Sequence, residues 1–166
     1  GVCVFVPLVE RSMRSHLGEM IHEDMENNLS LINQGVYDMI ATQDELLRMK
    51  LAGDLAVASD TLASAGGVTL ADDTVSWEAV NQLTGSQTTV ALPRMMVGDT
   101  WLGQNRNMAT PSPIVDKVHD LVGGTCTIFQ RLNSAGDMLR VATNVATQEG
   151  QRAIGTYIPA VKADGH

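Results

Sequence analysis

Aromatic rings are scarce in this chain. Two Phe, two Tyr and two Trp stand among 166 residues, so a core has to be built from Leu, Val, Ile, Ala and the nine Met. Basic charge is short as well. Eleven Lys and Arg face 19 Asp and Glu, a formal charge of −8, and no basic patch is present to neutralise phosphates, which excludes a nucleic-acid partner. Cys3 and Cys126 are too few for a disulfide scaffold, and their spacing fits no zinc motif. No run reaches the roughly 20 apolar residues of a membrane-spanning helix. Residues 1–9 form a shorter apolar segment, which lacks the basic start of an intact signal peptide. Charged residues make up only 18% and apolar residues 44%. That balance excludes a disordered chain and provides for one sizeable domain with a buried core.

Catalytic signatures are missing too. The sequence holds no phosphate-cradling glycine loop, no Gly-x-Ser-x-Gly elbow and no His-Glu-x-x-His pair. His16 and His22 do not share a helix face as an i, i+4 pair would, so they make no metal site. Cys126 sits in an apolar run with no nearby His in sequence, the setting of an inert thiol. An enzyme is therefore not expected, and no cofactor motif is legible.

What is present divides the chain in three. After the apolar segment 1–9, residues 10–66 read as a long helical region. Met25, Leu29, Ile32, Val36 and Met39 recur at alternating spacings of four and three, an apolar seam of heptad type. Leu47, Leu51, Leu55, Ala58 and Leu62 continue an apolar stripe, and Gly66-Gly67 marks the stop. So long a helix has to project, pair with another copy, or fold back at Gly35 or Gly53. Residues 67–166 read differently, with strands expected at 88–92 and 94–97 and a turn at Gly98-Asp99 before Thr100-Trp101-Leu102. A short helix is predicted over 114–121, starting at Ser112 or Pro113 and stopping at Gly123-Gly124. Three runs at meander spacing follow, 125–131, 138–143 and 152–158, the first two joined by a hairpin turn at 133–137. The fold class is α+β.

The residues that point to chemistry belong to a binding constellation. Arg131 and Arg140 are expected on neighbouring strands. Hydroxyls of Thr125, Thr127, Thr143 and Thr156 share that sheet, and Tyr157 stands near its end. Arg140 alternates with Leu139 and Val141 and so faces away from them. A guanidinium on a sheet face clamps a carboxylate with two parallel charge-assisted hydrogen bonds; an ordinary solvent-facing arginine fits the same spacing. Trp101 and Tyr157 are candidates for a pocket wall, although aromatic side chains also simply pack.

The segments Val122-Gly-Gly-Thr-Cys-Thr-Ile-Phe-Gln-Arg-Leu-Asn133 and Gly136-Asp-Met-Leu-Arg-Val-Ala-Thr-Asn-Val145 resemble the Cache domains of bacterial methyl-accepting chemotaxis proteins. The nearest type is the Cache 3/Cache 2 fusion. Gly150-Gln-Arg-Ala-Ile-Gly-Thr-Tyr-Ile-Pro159, Leu92-Pro-Arg-Met-Met-Val-Gly98 and Trp101-Leu-Gly-Gln-Asn105 continue a likeness that runs from about Val36 to the end. The resemblance implies a PAS-like antiparallel sheet behind a long helix, outside the membrane, with a pocket for a small organic acid or amino acid. Carried onto this sequence, Trp101, Arg131, Arg140, Thr143 and Tyr157 are the expected ligand-lining residues.

Two readings of function follow. In one, the chain is the ligand-binding module of a chemoreceptor, with residues 1–9 as the remnant of a membrane anchor. In the other, it is a self-assembling extracellular filament subunit. Its sheet would stop short of the family's last strands, and the open edge would take the run Gly1–Val6 of the next copy. The heptad seam would bury itself against a neighbour, and Cys3 would meet Cys126 between subunits in an oxidising compartment.

Overall fold

The computed structural model describes the backbone of residues 5–161 and the side chains of residues 11 and 13–161. The first element, α1 (Phe5–Ser64), is a single α-helix. It starts earlier than expected, so residues 5–9 lie within it. Pro7 falls in its first turn, where a missing N–H leaves no helical bond unmade. The helix passes Gly35 and Gly53 without a break, because a lone glycine costs only about 1 kcal/mol relative to Ala in a helix interior. It stops where expected. Gly66 and Gly67 adopt positive φ values of 104° and 73°, and their N–H groups return to Ala63 and Leu62 carbonyls at 3.0 Å each, satisfying the end of the helix.

The chain divides into two units, residues 1–50 and 51–166. In the first, every described side chain is exposed, including the seam residues Met25, Leu29, Ile32, Val36 and Met39. The second unit holds the last turns of α1 and the whole sheet. Ala58 and Leu62 pack against its core, and Thr61 is buried.

The sheet contains six strands: β1 (Val68–Asn81), β2 (Gln87–Val97), β3 (Thr100–Trp101), β4 (Thr127–Arg131), β5 (Met138–Thr143) and β6 (Thr156–Ile158). Their order is β3-β2-β1-β6-β5-β4. All neighbours are antiparallel except β1 and β6, which run parallel. The sheet expected to be antiparallel is thus mixed at its centre. The chain reaches β6 only after the excursion through α2 (Val115–Val122), β4 and β5, and that route delivers it beside β1 in the same direction. The hairpin β4–β5 forms as predicted. β2 runs through Pro93 as one strand, since the Pro93 position faces a register irregularity in β1 between Leu70 and Thr74. The run 152–158 is mostly irregular. Arg152 makes an isolated bridge with Ala146, and only Thr156–Ile158 joins the sheet. The sheet curls, so that Gln130 Nε2 on β4 donates to the Pro93 carbonyl on β2 at 2.9 Å.

On the inner face, Trp77, Ala79, Leu92, Leu139, Val141 and Ile154 form one buried cluster with Ile114, Val115 and Val118 of the α2 region. Register accounts for this segregation: Leu139 and Ala142 of β5 face Gln130 and Ile128 of β4 on one side, and Met138, Arg140 and Thr143 face Arg131, Phe129 and Thr127 on the other, with the irregularity at Val141 between them.

Candidate functional site

The five expected ligand residues do not converge. Tyr157 lies opposite Leu139 in the β5–β6 register and packs against the inner cluster. Its hydroxyl accepts a hydrogen bond from Asn81 Nδ2 at 3.2 Å. Thr143, opposite Thr127 in register, is fully buried; its hydroxyl donates to the Cys126 carbonyl at 3.2 Å and meets the Thr127 hydroxyl at 2.8 Å. Both residues are parts of the core. Arg140 points from the face of β5 opposite Leu139 and Tyr157, so it cannot line one pocket with Tyr157. Trp101 stands on the edge strand β3, with three strands between it and β5. It carries the Arg94 guanidinium 5.0 Å above its ring. The Asp73 carboxylate approaches Arg94 Nε at 3.0 Å, near enough for ion pairing though off the line of a hydrogen bond. Arg131 sits on the same face as Arg140, yet it is already engaged. Its Nε and Nη2 donate to the Asn133 and Ser134 carbonyls at 3.0 and 2.9 Å, pinning the hairpin turn.

Arg140 is different. Phe129 lies opposite it in register, 5.7 Å from guanidinium to ring centroid. Nη1 donates to the Ala153 carbonyl at 3.2 Å, while Nε is buried without an acceptor. Burial pushes the pKa of this guanidinium down. A half-buried cation with an unused donor is costly in the unliganded domain, and an anion would relieve it.

A third arginine, absent from the expected set, anchors the fold. Arg152 is 2% exposed and forks onto the Asp116 carboxylate, with Nη1···Oδ1 and Nη2···Oδ2 both at 2.8 Å. It also donates to the carbonyls of Asn107 (3.2 Å), Thr110 (2.9 Å) and Thr143 (2.9 Å). Burial by itself would raise the Asp116 carboxyl. Hydrogen bonds from Arg152 and the Ser112 N–H, together with the Arg152 charge, outweigh it and hold the group below its usual value. Sequence reasoning placed Arg152 inside a regular strand and so passed over it. The available signal was the glycine on either side, Gly150 and Gly155, both at positive φ, which breaks the strand around it.

The Cache 3/Cache 2 fusion domain model matches residues 14–163, nearly the whole chain. The chain belongs to that family. No curated protein and no solved structure matches it. Domains of the family are generally extracytoplasmic and sensory rather than catalytic, and they take small-molecule ligands. No helix among the described residues is long and apolar enough to cross a membrane.

Within the sheet-bearing unit of this Cache domain, two adjoining clefts of about 360 and 340 Å³ separate the last turns of α1 from β4. Leu55, Ala58, Cys126 and Thr127 border both. The walls are mainly apolar, and the Cys126 thiol, unpaired in a disulfide, has its pKa pushed up by burial. It is therefore a poor nucleophile at neutral pH. Among the described residues, no group of three or more His, Cys, Asp or Glu side chains is placed to hold a metal ion. Cys3 and the donated-strand run that begins at Gly1 lie outside the described residues, apart from Phe5 and Val6, whose backbone is helical.

Proposed function

We propose that this chain is the extracytoplasmic ligand-sensing domain of a chemoreceptor-like signal-transduction protein. Its ligand is a small organic acid or amino acid whose carboxylate is taken by Arg140. Family membership supports the sensory role. The observation that carries the ligand class is the Arg140 guanidinium, half-buried over Phe129 with its Nε unpaired. A carboxylate supplies the missing acceptor and the counter-charge together. Trp101, Arg131, Thr143 and Tyr157 are not part of this carboxylate seat, because their own contacts hold them elsewhere. The exposed seam of α1 supports a second element of the proposal, pairing with another copy of the chain.

The test is a thermal-shift screen of small carboxylates and amino acids on the intact chain and on Arg140→Ala. A ligand at about one hundred times its Kd stabilises the folded state by about 2.7 kcal/mol. For a chain of this size that raises Tm by roughly 5–10 °C. The same compound should leave Arg140→Ala unshifted. An equal shift in both proteins removes Arg140 from the site.

A further inference from the structure

We infer that the ligand is a monocarboxylic acid with an apolar tail, its carboxylate on Arg140 and its tail in the cleft between β4 and the last turns of α1. This rests on the Arg140 carboxylate seat proposed above and narrows the class of acid that the seat takes.

Phe129 is decisive, because it belongs to the seat and to the cleft at once. The Arg140 guanidinium stands 5.7 Å from its ring centroid, and the same residue lines the cleft of about 340 Å³. An acid held by Arg140 therefore has an apolar space next to it, reached across one aromatic ring. β4 is the last strand in the order of the sheet, and among the described residues no further strand lies beyond it. On the helix side the wall is made by Leu55, Ala58, Ser59 and Leu62, the i, i+3, i+4 and i+7 positions of one helix face. Both walls belong to the sheet-bearing unit. The volume falls at the lower end of the range that holds small-molecule ligands.

The chemistry of the walls selects the tail. The Thr127 hydroxyl already meets the Thr143 hydroxyl at 2.8 Å, and burial keeps the Cys126 thiol protonated. Leu55, Leu62, Ile114 and Ile128 are hydrocarbon. None of the described residues lining this cleft is acidic. The α-ammonium of an amino acid would thus stand beside the Arg140 guanidinium with nothing in the cleft to offset it. A dicarboxylate would carry its second charge into the same apolar walls without a cation. Burying an unpaired charge costs far more than burying a methylene gains. An aliphatic tail meets neither cost, and it covers apolar surface that the chain leaves in water, Leu55 being 71% exposed.

Isothermal titration of the intact chain with acetate, hexanoate, norleucine and adipate tests the tail. Each methylene buried strengthens binding about fourfold, the equivalent of about 0.8 kcal/mol, so hexanoate should bind roughly tenfold or more tightly than acetate. Norleucine and adipate have the same carbon chain with one added charge, and each should bind roughly tenfold or more weakly than hexanoate. Cys126 borders the cleft and reports its occupancy without any substitution. Hexanoate at about ten times its Kd should slow modification of that thiol by N-ethylmaleimide roughly tenfold, read at Cys126 by mass spectrometry. Norleucine or adipate binding as tightly as hexanoate, acetate binding as tightly, or bound hexanoate that leaves Cys126 unprotected, each overturns the tail assignment. If binding in those cases is lost in Arg140→Ala, the carboxylate seat stands and only the tail is wrong. Hexanoate binding that survives Arg140→Ala, or no binding of any of the four, overturns the seat and this inference together.

Discussion

Arg140 and Arg152 lie twelve positions apart in one β-rich stretch, and replacing each with Met should have very different consequences. Arg152→Met strands a carboxylate and several carbonyls that have no other cation, since its guanidinium meets both Asp116 oxygens at 2.8 Å. Removing one partner of a buried pair costs about 3–5 kcal/mol, and partial exposure of Asp116 places this case near about 3 kcal/mol. Arg140→Met loses one long hydrogen bond to Ala153, at 3.2 Å, and a guanidinium–ring contact at 5.7 Å. Together these are worth about 2 kcal/mol. The substitution also removes a buried Nε with no acceptor, whose presence costs about 1–3 kcal/mol, and it fills the same space with an apolar chain against Phe129. The two sides nearly cancel, so Arg140→Met should fall within about 1 kcal/mol of the unsubstituted protein. Urea unfolding followed by tryptophan fluorescence measures both, because Trp77 and Trp101 lie in the sheet-bearing unit. If Arg140→Met is as destabilising as Arg152→Met, Arg140 is a structural clamp. The case for it as a carboxylate seat then fails.

Two further outcomes are expected. Gly98→Ala should destabilise the domain by about 3 kcal/mol or more, since it combines a left-handed backbone with a Cβ only 2.6 Å from the Ala65 carbonyl oxygen. Gly67→Ala, also left-handed but with open space around the added carbon, should cost about 1–2 kcal/mol; equal urea midpoints for the two variants would contradict the steric argument. In the helical seam, Ile32→Asp introduces a charge among Leu29, Val36 and Met39 without touching the sheet-bearing unit. Sedimentation velocity should show the unsubstituted chain self-associating and this variant as a monomer, and identical sedimentation would count against pairing through the seam.

Much of the architecture could be read from local pattern, because it depends on local chemistry. The absence of proline between Pro7 and Pro93 and the paired glycines at 66 and 67 delimit the long helix. The alternation of Met138, Leu139 and Arg140 sets the direction of Arg140 away from Leu139, as a strand's period of two requires, while the register shift at Val141 could not be read from it. The turn at 133–137 carries the Asn and Gly that close a hairpin, and its partner strands pair accordingly. β1 escaped notice because Asp72 and Asp73 interrupt its apolar pattern at the point where its register with β2 shifts.

The roles of the charged and aromatic residues were not legible in this way. Arg131, Arg140 and Arg152 are chemically identical in sequence, and each has a function defined by what the folded chain brings to it. Arg131 finds the carbonyls of its own turn, Arg152 a carboxylate 36 positions away, and Arg140 one carbonyl and a ring. Tyr157 was grouped with Arg140 by strand and composition, yet the pleat turns it to the opposite face, and Thr143 is buried with its hydroxyl held by Cys126 and Thr127. The sequence by itself determined the α+β class, the long helix and the β4–β5 hairpin, because propensity and periodicity act over a few residues. Only the tertiary structure decided which arginine is satisfied and which is left with an open donor. A guanidinium's partners come from distant segments, and the closing of the sheet selects them.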